Sequence, residues 1–369
     1  ADRIWTNPGE IPGNGIDDDR NGYVDDWRGW NTFANNNNIQ DDDGHGTHVA
    51  GILGSAGDTQ SGGAGVDWRA RIMIVKALGR QGGTESAFIA ALNYAVDNGA
   101  RVVNASLGTR PGAEVSPALQ EAVAYALSKN VVLVAAAGNS ANDNDQSPVY
   151  PAGIRLPNVI SVAAVDRAGN LAEFSNYGAS TVDLVAPGVG IWSTVPTGDY
   201  LGYPYKPDDP IQSFIGYAKL DGTSMATPFV AGVISLLLGL NPQLSAEVLV
   251  QSVLSTTKPI EGLDGKVSTG GIVDALAAIT GLPAVPSPPA SSPPAAVKAA
   301  PSSVAPILKS RSDHKINNMI TTVANRLLSH ARPRGFNAQR QLPPQPAAIK
   351  RMSPTRLRLA RTQVKIATP

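Results

Sequence analysis

The chain has 369 residues, 30 Lys and Arg against 30 Asp and Glu, no cysteine, and 5% aromatic residues. That length can bury a large core and hold more than one domain, while the lack of cysteine excludes disulfides and thiolate metal sites. Charge is unevenly spread: from residue 281 onward 14 basic residues face only Asp313, a net of +13, so a total of zero leaves −13 on residues 1–280.

In chain order, Ala1-Asp2-Arg3-Ile4-Trp5 carries no apolar leader core and no initiator Met, and reads as a cut or incomplete beginning. The next stretch is acidic and turn-forming. Asp17, Asp19, Asn21, Tyr23 and Asp25 fall at positions 1, 3, 5, 7 and 9 of a loop with Gly22 at position 6. This is the spacing of an oxygen cage for Ca²⁺, with Tyr23 offering its backbone carbonyl. Position 12 is Arg28, not a bidentate Glu, and no helical pattern flanks the loop, so it is not an EF-hand. The competing reading is a solvated acidic turn.

Asp41-Asp42-Asp43-Gly44-His45-Gly46-Thr47-His48 then leads into an apolar run that predicts a helix start. His45 and His48 could be two metal ligands, but no third ligand is evident. Alternatively, His45 is a base at a helix start and His48 its hydrogen-bonded structural neighbour.

The middle alternates strands with helices. Residues 72–75 predict a buried strand. Residues 84–98 predict a helix stopped by Gly99. Residues 101–106 form a strand, and Ser116-Pro117 opens a helix running to Asn130. Strands follow at 131–136 and 159–163. Such alternation predicts an α/β fold with a mostly parallel central sheet and helices on both faces. Function gathers at the carboxyl ends of such strands, where Ser106, Leu107, Gly108, Gly138 and Asn139 lie.

Asp221-Gly222-Thr223-Ser224 turns into the apolar run 229–238, a buried helix too short to span a membrane. Ser224 therefore lies near a helix N-terminus, where free N–H groups favour negative charge. Its hydroxyl needs a base to act as a nucleophile. Ser245 caps a further helix to about Ser255, and residues 270–276 open a last short one. Residues 282–306 are a Pro/Ala/Ser-rich linker. Residues 307–369 are a basic tail expected to lack order, apart from one amphipathic helix through Ile316, Met319, Ile320, Val323 and Leu327. Its charge could attract phosphate backbones, but with Phe336 as its one aromatic residue it has no platform for stacking successive bases, so nucleic acid is not the expected partner.

Three motifs coincide in order: Gly44-His45-Gly46-Thr47-His48-Val49-Ala50-Gly51, Ala136-Ala137-Gly138-Asn139, and Gly222-Thr223-Ser224-Met225-Ala226-Thr227-Pro228. Together they resemble the subtilisin-like serine peptidases, the subtilases, over roughly residues 1–280. The likeness extends to Asn104-Ala105-Ser106-Leu107-Gly108 and Tyr150-Pro151-Ala152.

The resemblance implies an endopeptidase domain over 1–281. Ser224 is then the nucleophile, His45 the general base, and Asn139 the side-chain donor to the oxyanion. It implies that Ser106, Leu107 and Gly108, with Gly138, bind an extended polypeptide substrate. The acidic loop is similar to a calcium insertion in some subtilases. The family's catalytic Asp, in an early Asp-Ser/Thr-Gly strand, has no counterpart here. Asp2, Asp42 and Asp43 do not copy it. The alternative is therefore a catalytically impaired relative or a peptide-binding module. Absence of cysteine and a calcium loop suit an exported bacterial enzyme acting as a monomer. Val149 is expected to narrow the specificity pocket.

Overall fold

The computed structural model describes residues 3–57, 62–196 and 216–282. The chain divides into a unit Ala1–Ala290 and a unit Ser291–Pro369, and the described residues all belong to the first. The expected basic tail and its amphipathic helix lie outside the described residues, as does all of the linker but residue 282.

In chain order the elements are β1 (Gly29–Asn31), α1 (His45–Gly54), β2 (Ile74–Lys76), α2 (Glu85–Asp97), β3 (Val102–Ala105), α3 (Pro117–Ser128), β4 (Val132–Ala136) and β5 (Val159–Val165). They continue with β6 (Leu184–Pro187), β7 (Ile191–Thr194), β8 (Tyr217–Leu220), α4 (Thr223–Leu240), α5 (Ala246–Leu254), β9 (Lys258–Pro259), β10 (Gly271–Ile272) and α6 (Ala275–Thr280). The main sheet has the order β3-β4-β5-β6-β10-β9 and is parallel except at β9. The α/β architecture with a mostly parallel sheet is thus as expected.

Successive residues of β4 point to opposite faces, as the two-residue period of a strand requires. Val132 and Val134 enter a core with Ile160, Leu184, Val230, Ile234, Leu237 and Leu249 under α4 and α5. Leu133 and Ala135 enter the other, with Phe88, Leu92, Leu119 and Val123 of α2 and α3. Each such Leu, Ile or Val contributes about 1.5–3 kcal/mol on leaving water.

Helix starts follow their caps. Thr84 Oγ1 accepts from Ala87 N (3.1 Å), Ser116 Oγ from Leu119 N (3.1 Å), and Ser245 Oγ from Val248 N (3.2 Å). Each is worth about 1 kcal/mol.

Two expectations change. The last helix does not open at residue 270: Gly271–Ile272 pairs as β10, and Asp274 caps the helix at Ala275 by accepting from Ala277 N at 2.9 Å. The strand expected to be buried at 72–75 is Ile74–Lys76, and all of it is only half-buried. It pairs in parallel with β1 alone, in a separate two-stranded sheet.

The apolar run beyond Ser224 is also longer than expected. Helix α4 has 18 residues and is long and apolar enough to cross a membrane, but most of it is buried in the core.

Candidate active site

Asn139 follows the carboxyl end of β4, and Ser224 is the second residue of α4. Both line one cavity of about 160 Å³, together with Leu107, Gly108, Gly138, Val149 and Thr223. Asn139 Oδ1 accepts from the Thr223 backbone N–H (2.8 Å) and from Thr223 Oγ1 (2.9 Å). Those two bonds fix the amide plane, so Nδ2 is turned the other way. A Cβ on Gly222 would sit 3.5 Å from that Nδ2. Thr223 is fully buried, and its Oγ1 also accepts from Gly138 N (3.2 Å). Among the described residues nothing accepts from the Ser224 N–H, as the first turn of a helix leaves it. An Nδ2 and a backbone N–H therefore flank one cavity as free donors.

Pro228 explains part of the arrangement. It lies inside α4 and has no N–H, so the Ser224 carbonyl four residues earlier lacks its helical donor. Ser106 Oγ fills the place, donating to Ser224 O at 2.8 Å. Asn104 Nδ2 in turn donates to Ser106 Oγ (2.9 Å). Ser224 Oγ donates to the Ser106 carbonyl at 3.3 Å. Of the expected substrate-binding residues, Leu107, Gly108 and Gly138 line the cavity, while Ser106 braces the Ser224 residue instead.

His45 is the first residue of α1, which packs against α4 through Val49, Ile52 and Met225. Gly44, at φ 97°, offers α1 no side-chain cap. Asp41 supplies one from outside: Oδ1 accepts from Asp43 N (3.0 Å) and Gly44 N (2.8 Å), and Oδ2 from Thr47 N (2.8 Å) and Thr47 Oγ1 (2.6 Å). Burial raises the Asp41 carboxyl, but these bonds outweigh it and hold the pKa below the ordinary value. Burial pushes the His45 imidazole below its ordinary pKa, opposed in part by the charges of Asp43 and Asp41.

His48 is fully buried, and its Nε2 lies 3.1 Å from both the Ile191 and Ala218 carbonyls. That makes Nε2 the protonated nitrogen, pinning α1 to β7 and β8. His48 is thus the structural neighbour and not half of a metal pair.

A family model described as the subtilase family matches residues 6–281. The chain belongs to the subtilase family. It is 41% identical over 210 residues to thermitase of Thermoactinomyces vulgaris, which covers 57% of this chain and 66% of that protein. Subtilisin DY of Bacillus licheniformis is 40% identical over 219 residues, covering 59% and 71%. Among solved structures, fervidolysin from Fervidobacterium pennivorans matches with a TM-score of 0.59 and 32% identity, covering 69% of this chain and 40% of that one. A cold-adapted subtilisin-like serine proteinase matches with a TM-score of 0.52 and 34% identity, covering 67% and 78%. The chain thus spans 66% of thermitase and 40% of fervidolysin.

Among the described residues no carboxylate bonds the His45 ring: Asp41 caps α1, and Asp43 Oδ1 accepts from the His45 backbone N–H (3.3 Å).

The acidic loop of this subtilase departs from the expected cage. Asp17 accepts from Asn21 N (3.0 Å) and Gly22 N (2.9 Å). Asp25 turns to Gly13 N (2.7 Å), Asn14 N (3.1 Å) and Gly15 N (3.0 Å). Positions 1 and 9 thus lock turns in their own loop. Asn21 donates its amide to Asp19 (3.2 Å) and Asp26 (3.1 Å), and Tyr23 packs its ring edge-on against Trp30 and Tyr94.

The carboxylates that do converge, with oxygens within 4.8 Å of one another, are Glu10, Asp19 and Asp26. Only Asp19 was expected from the spacing; Glu10 lies upstream of the loop, and Asp26 sits in the shadow of Asp25. Asp26 is fully buried, and its partners are the amides of Asn7 (2.8 Å) and Asn21 and the Tyr94 hydroxyl (2.6 Å). Burial, then the bond to Asp26, raises the Tyr94 pKa, so the phenol stays a donor. Three carboxylates, two of them buried, offer hard oxygen donors of the kind Ca²⁺ takes.

Proposed function

We propose that this subtilase is a serine endopeptidase acting on polypeptides. The reading rests above all on one observation: the Asn139 amide is held by Thr223 so that Nδ2, with the free Ser224 N–H, borders the cavity containing the Ser224 side chain. In the proposed step Ser224 Oγ leaves the Ser106 carbonyl and attacks the scissile carbonyl. The negative oxygen that forms is stabilised by Asn139 Nδ2 and the Ser224 N–H. His45, kept neutral by burial, takes the Ser224 proton and returns it to the leaving amine.

Replacing Ser224 by Ala should abolish hydrolysis of a general protein substrate. Retained hydrolysis would remove Ser224 from its role. A peptide-binding module is the second reading, favoured by the lack of a carboxylate partner on His45. It predicts that peptides bind but leave intact, with Ser224→Ala binding them equally well.

Val149, fully buried, forms part of the cavity wall, and a Cβ added to Gly108 would lie 2.8 Å from its Cγ1. We infer a preference for modest-sized side chains before the cut. Val149→Gly should shift kcat/KM toward Phe over Ala at that position, and an unchanged ratio would refute the preference.

We also infer that Glu10, Asp19 and Asp26 hold a structural Ca²⁺, which when bound offsets the repulsion of three clustered carboxylates. A ligand bound only to the folded state stabilises it, by about 2.7 kcal/mol at a hundredfold excess over Kd. Chelation should therefore lower Tm, and an unmoved melting curve leaves the loop as a hydrogen-bonded turn.

A further inference from the structure

The segment that carries Asn139 has no regular structure between β4 and residue 143, so its shape must come from contacts outside itself. Three of those contacts, on both sides of Asn139, come from a single side chain. Asn176 is fully buried, and its Oδ1 accepts from Ser140 N (2.8 Å) and Asn142 N (3.1 Å). Its Nδ2 donates to the Ala137 carbonyl (2.9 Å) and to Asn144 Oδ1 (3.0 Å). Its own backbone N–H donates to the Gly138 carbonyl (2.9 Å).

An Asn amide offers two donors and two lone pairs, so this one is saturated. It touches the cavity that holds Ser224, but it has no polar atom left for a ligand. The bonds fall on both sides of Asn139 and none falls on Asn139 itself. Gly138 is fitted to the clamp: its φ is 111°, and a Cβ there would run into the Asn176 amide nitrogen.

We propose that Asn176 is a positioning residue for the oxyanion donor, setting where Asn139 Nδ2 stands by gripping the backbone before and after it. The inference rests on the endopeptidase reading above. Its physical basis is that an oxyanion donor works only when preorganised. A displacement of about 1 Å in such a group can lower turnover by roughly 10²-fold.

The test is a double-mutant cycle on the full chain, with kcat taken per Ser224 titrated by a phosphonate, so that misfolded protein drops out. Asn176→Asp keeps the acceptor and removes both donors. Asn176→Ser, shorter and with a single O–H in place of the amide, loosens the grip without a buried charge, and serves if the Asp variant fails to fold. Either should lower kcat about tenfold or more with KM changed by less than about twofold. In an Asn139→Ala background the same change should alter kcat by less than about twofold.

Equal losses in both backgrounds, or no loss in the parent, would overturn the proposal. If Asn139→Ala itself leaves kcat unchanged, the oxyanion reading fails first. A readout independent of turnover is the Asn139 side-chain NH₂ signal in NMR, identified by its loss in Asn139→Ala. It should shift or broaden in the Asn176 variants, and an unmoved signal overturns the proposal whether or not the chain is active.

Discussion

The Ser224 side and the His45 side of the proposed site are held by different physics. Ser224 and Asn139 stand where α4 meets the main sheet. There every residue of β4 and β5 is buried, and Thr223 and Asn176 are fully enclosed. His45 stands at the start of α1, beside a two-stranded sheet whose strand β2 is half-exposed throughout. β2 and β3 are consecutive strands joined by α2, yet they lie in different sheets. A two-stranded sheet alone is marginal in water.

The loop before His45 is tied to β2 by Lys76 Nζ, which meets Asp42 Oδ1 and the Gln40 carbonyl at 2.8 Å each. The Asp42 side chain is 50% exposed. The proposed oxyanion donors are thus preorganised by buried bonds, whereas the loop leading into His45 is tied by a pair that water and salt can partly reach.

The comparison breaks most sharply on Asn139. Asn139→Ala should lower kcat by roughly 10²–10³ with little change in KM, because the donor acts only on the developing charge. The loss should be the same at low and high salt. A loss that shrinks as salt rises would mean the nucleophile side is as solvent-dependent as the base side.

How much of this the sequence reveals follows the range of each interaction. Strands β3, β4 and β5 are legible because they are apolar runs bounded by turn residues, and α2, α3 and α5 because Thr84, Ser116 and Ser245 are local caps. Strands β6 to β10 have two to four residues each, too short for a periodic pattern. The half-exposure of Ile74 and Val75 depends on which strand lies alongside, and side-chain type does not encode that.

In the site, His45, Asn139 and Ser224 stand inside recognisable motifs. The grip of Asn176 reaches back 34 and 36 residues to Asn142 and Ser140, and the bond of Asn139 to Thr223 spans 84. Such pairings exist only after folding. In the acidic loop the spacing singles out Asp17, Asp19, Asn21, Tyr23 and Asp25, while Glu10 and Asp26, whose oxygens meet that of Asp19, lie outside that pattern and come together only on folding.

A second test lies on Asp41. Its carboxylate accepts from the Thr47 N–H at 2.8 Å, a shorter bond than that of Asp43 with the His45 N–H (3.3 Å), so Asp41→Ala should destabilise the fold by about 1–2 kcal/mol in urea unfolding. It should also reduce kcat, because the first turn of α1 carries His45. Asp41→Asn keeps one acceptor and should lose less. Equal stability for all three proteins would mean that α1 starts without Asp41.

The pH dependence is a finer probe. Burial favours neutral His45, so its pKa lies below the ordinary value of 6.5. A base must be neutral to accept the Ser224 proton, so kcat/KM should fall on acidification only below about pH 6.5. A limb at or above that pH would mean that a carboxylate stabilises the imidazolium in the working enzyme.

The smallest effect belongs to the exposed tie. Lys76→Met removes the ion pair with Asp42 while keeping much of the aliphatic stem, and exposed pairs contribute about 0–1 kcal/mol. Stability should therefore change by less than about 1 kcal/mol, and high salt should shrink the difference, because an exposed pair is screened within a Debye length of about 10 Å at 0.1 M. A salt-insensitive loss above about 2 kcal/mol would place this tie in the class of buried bonds that hold Asn139, and the contrast between the two sides would fail.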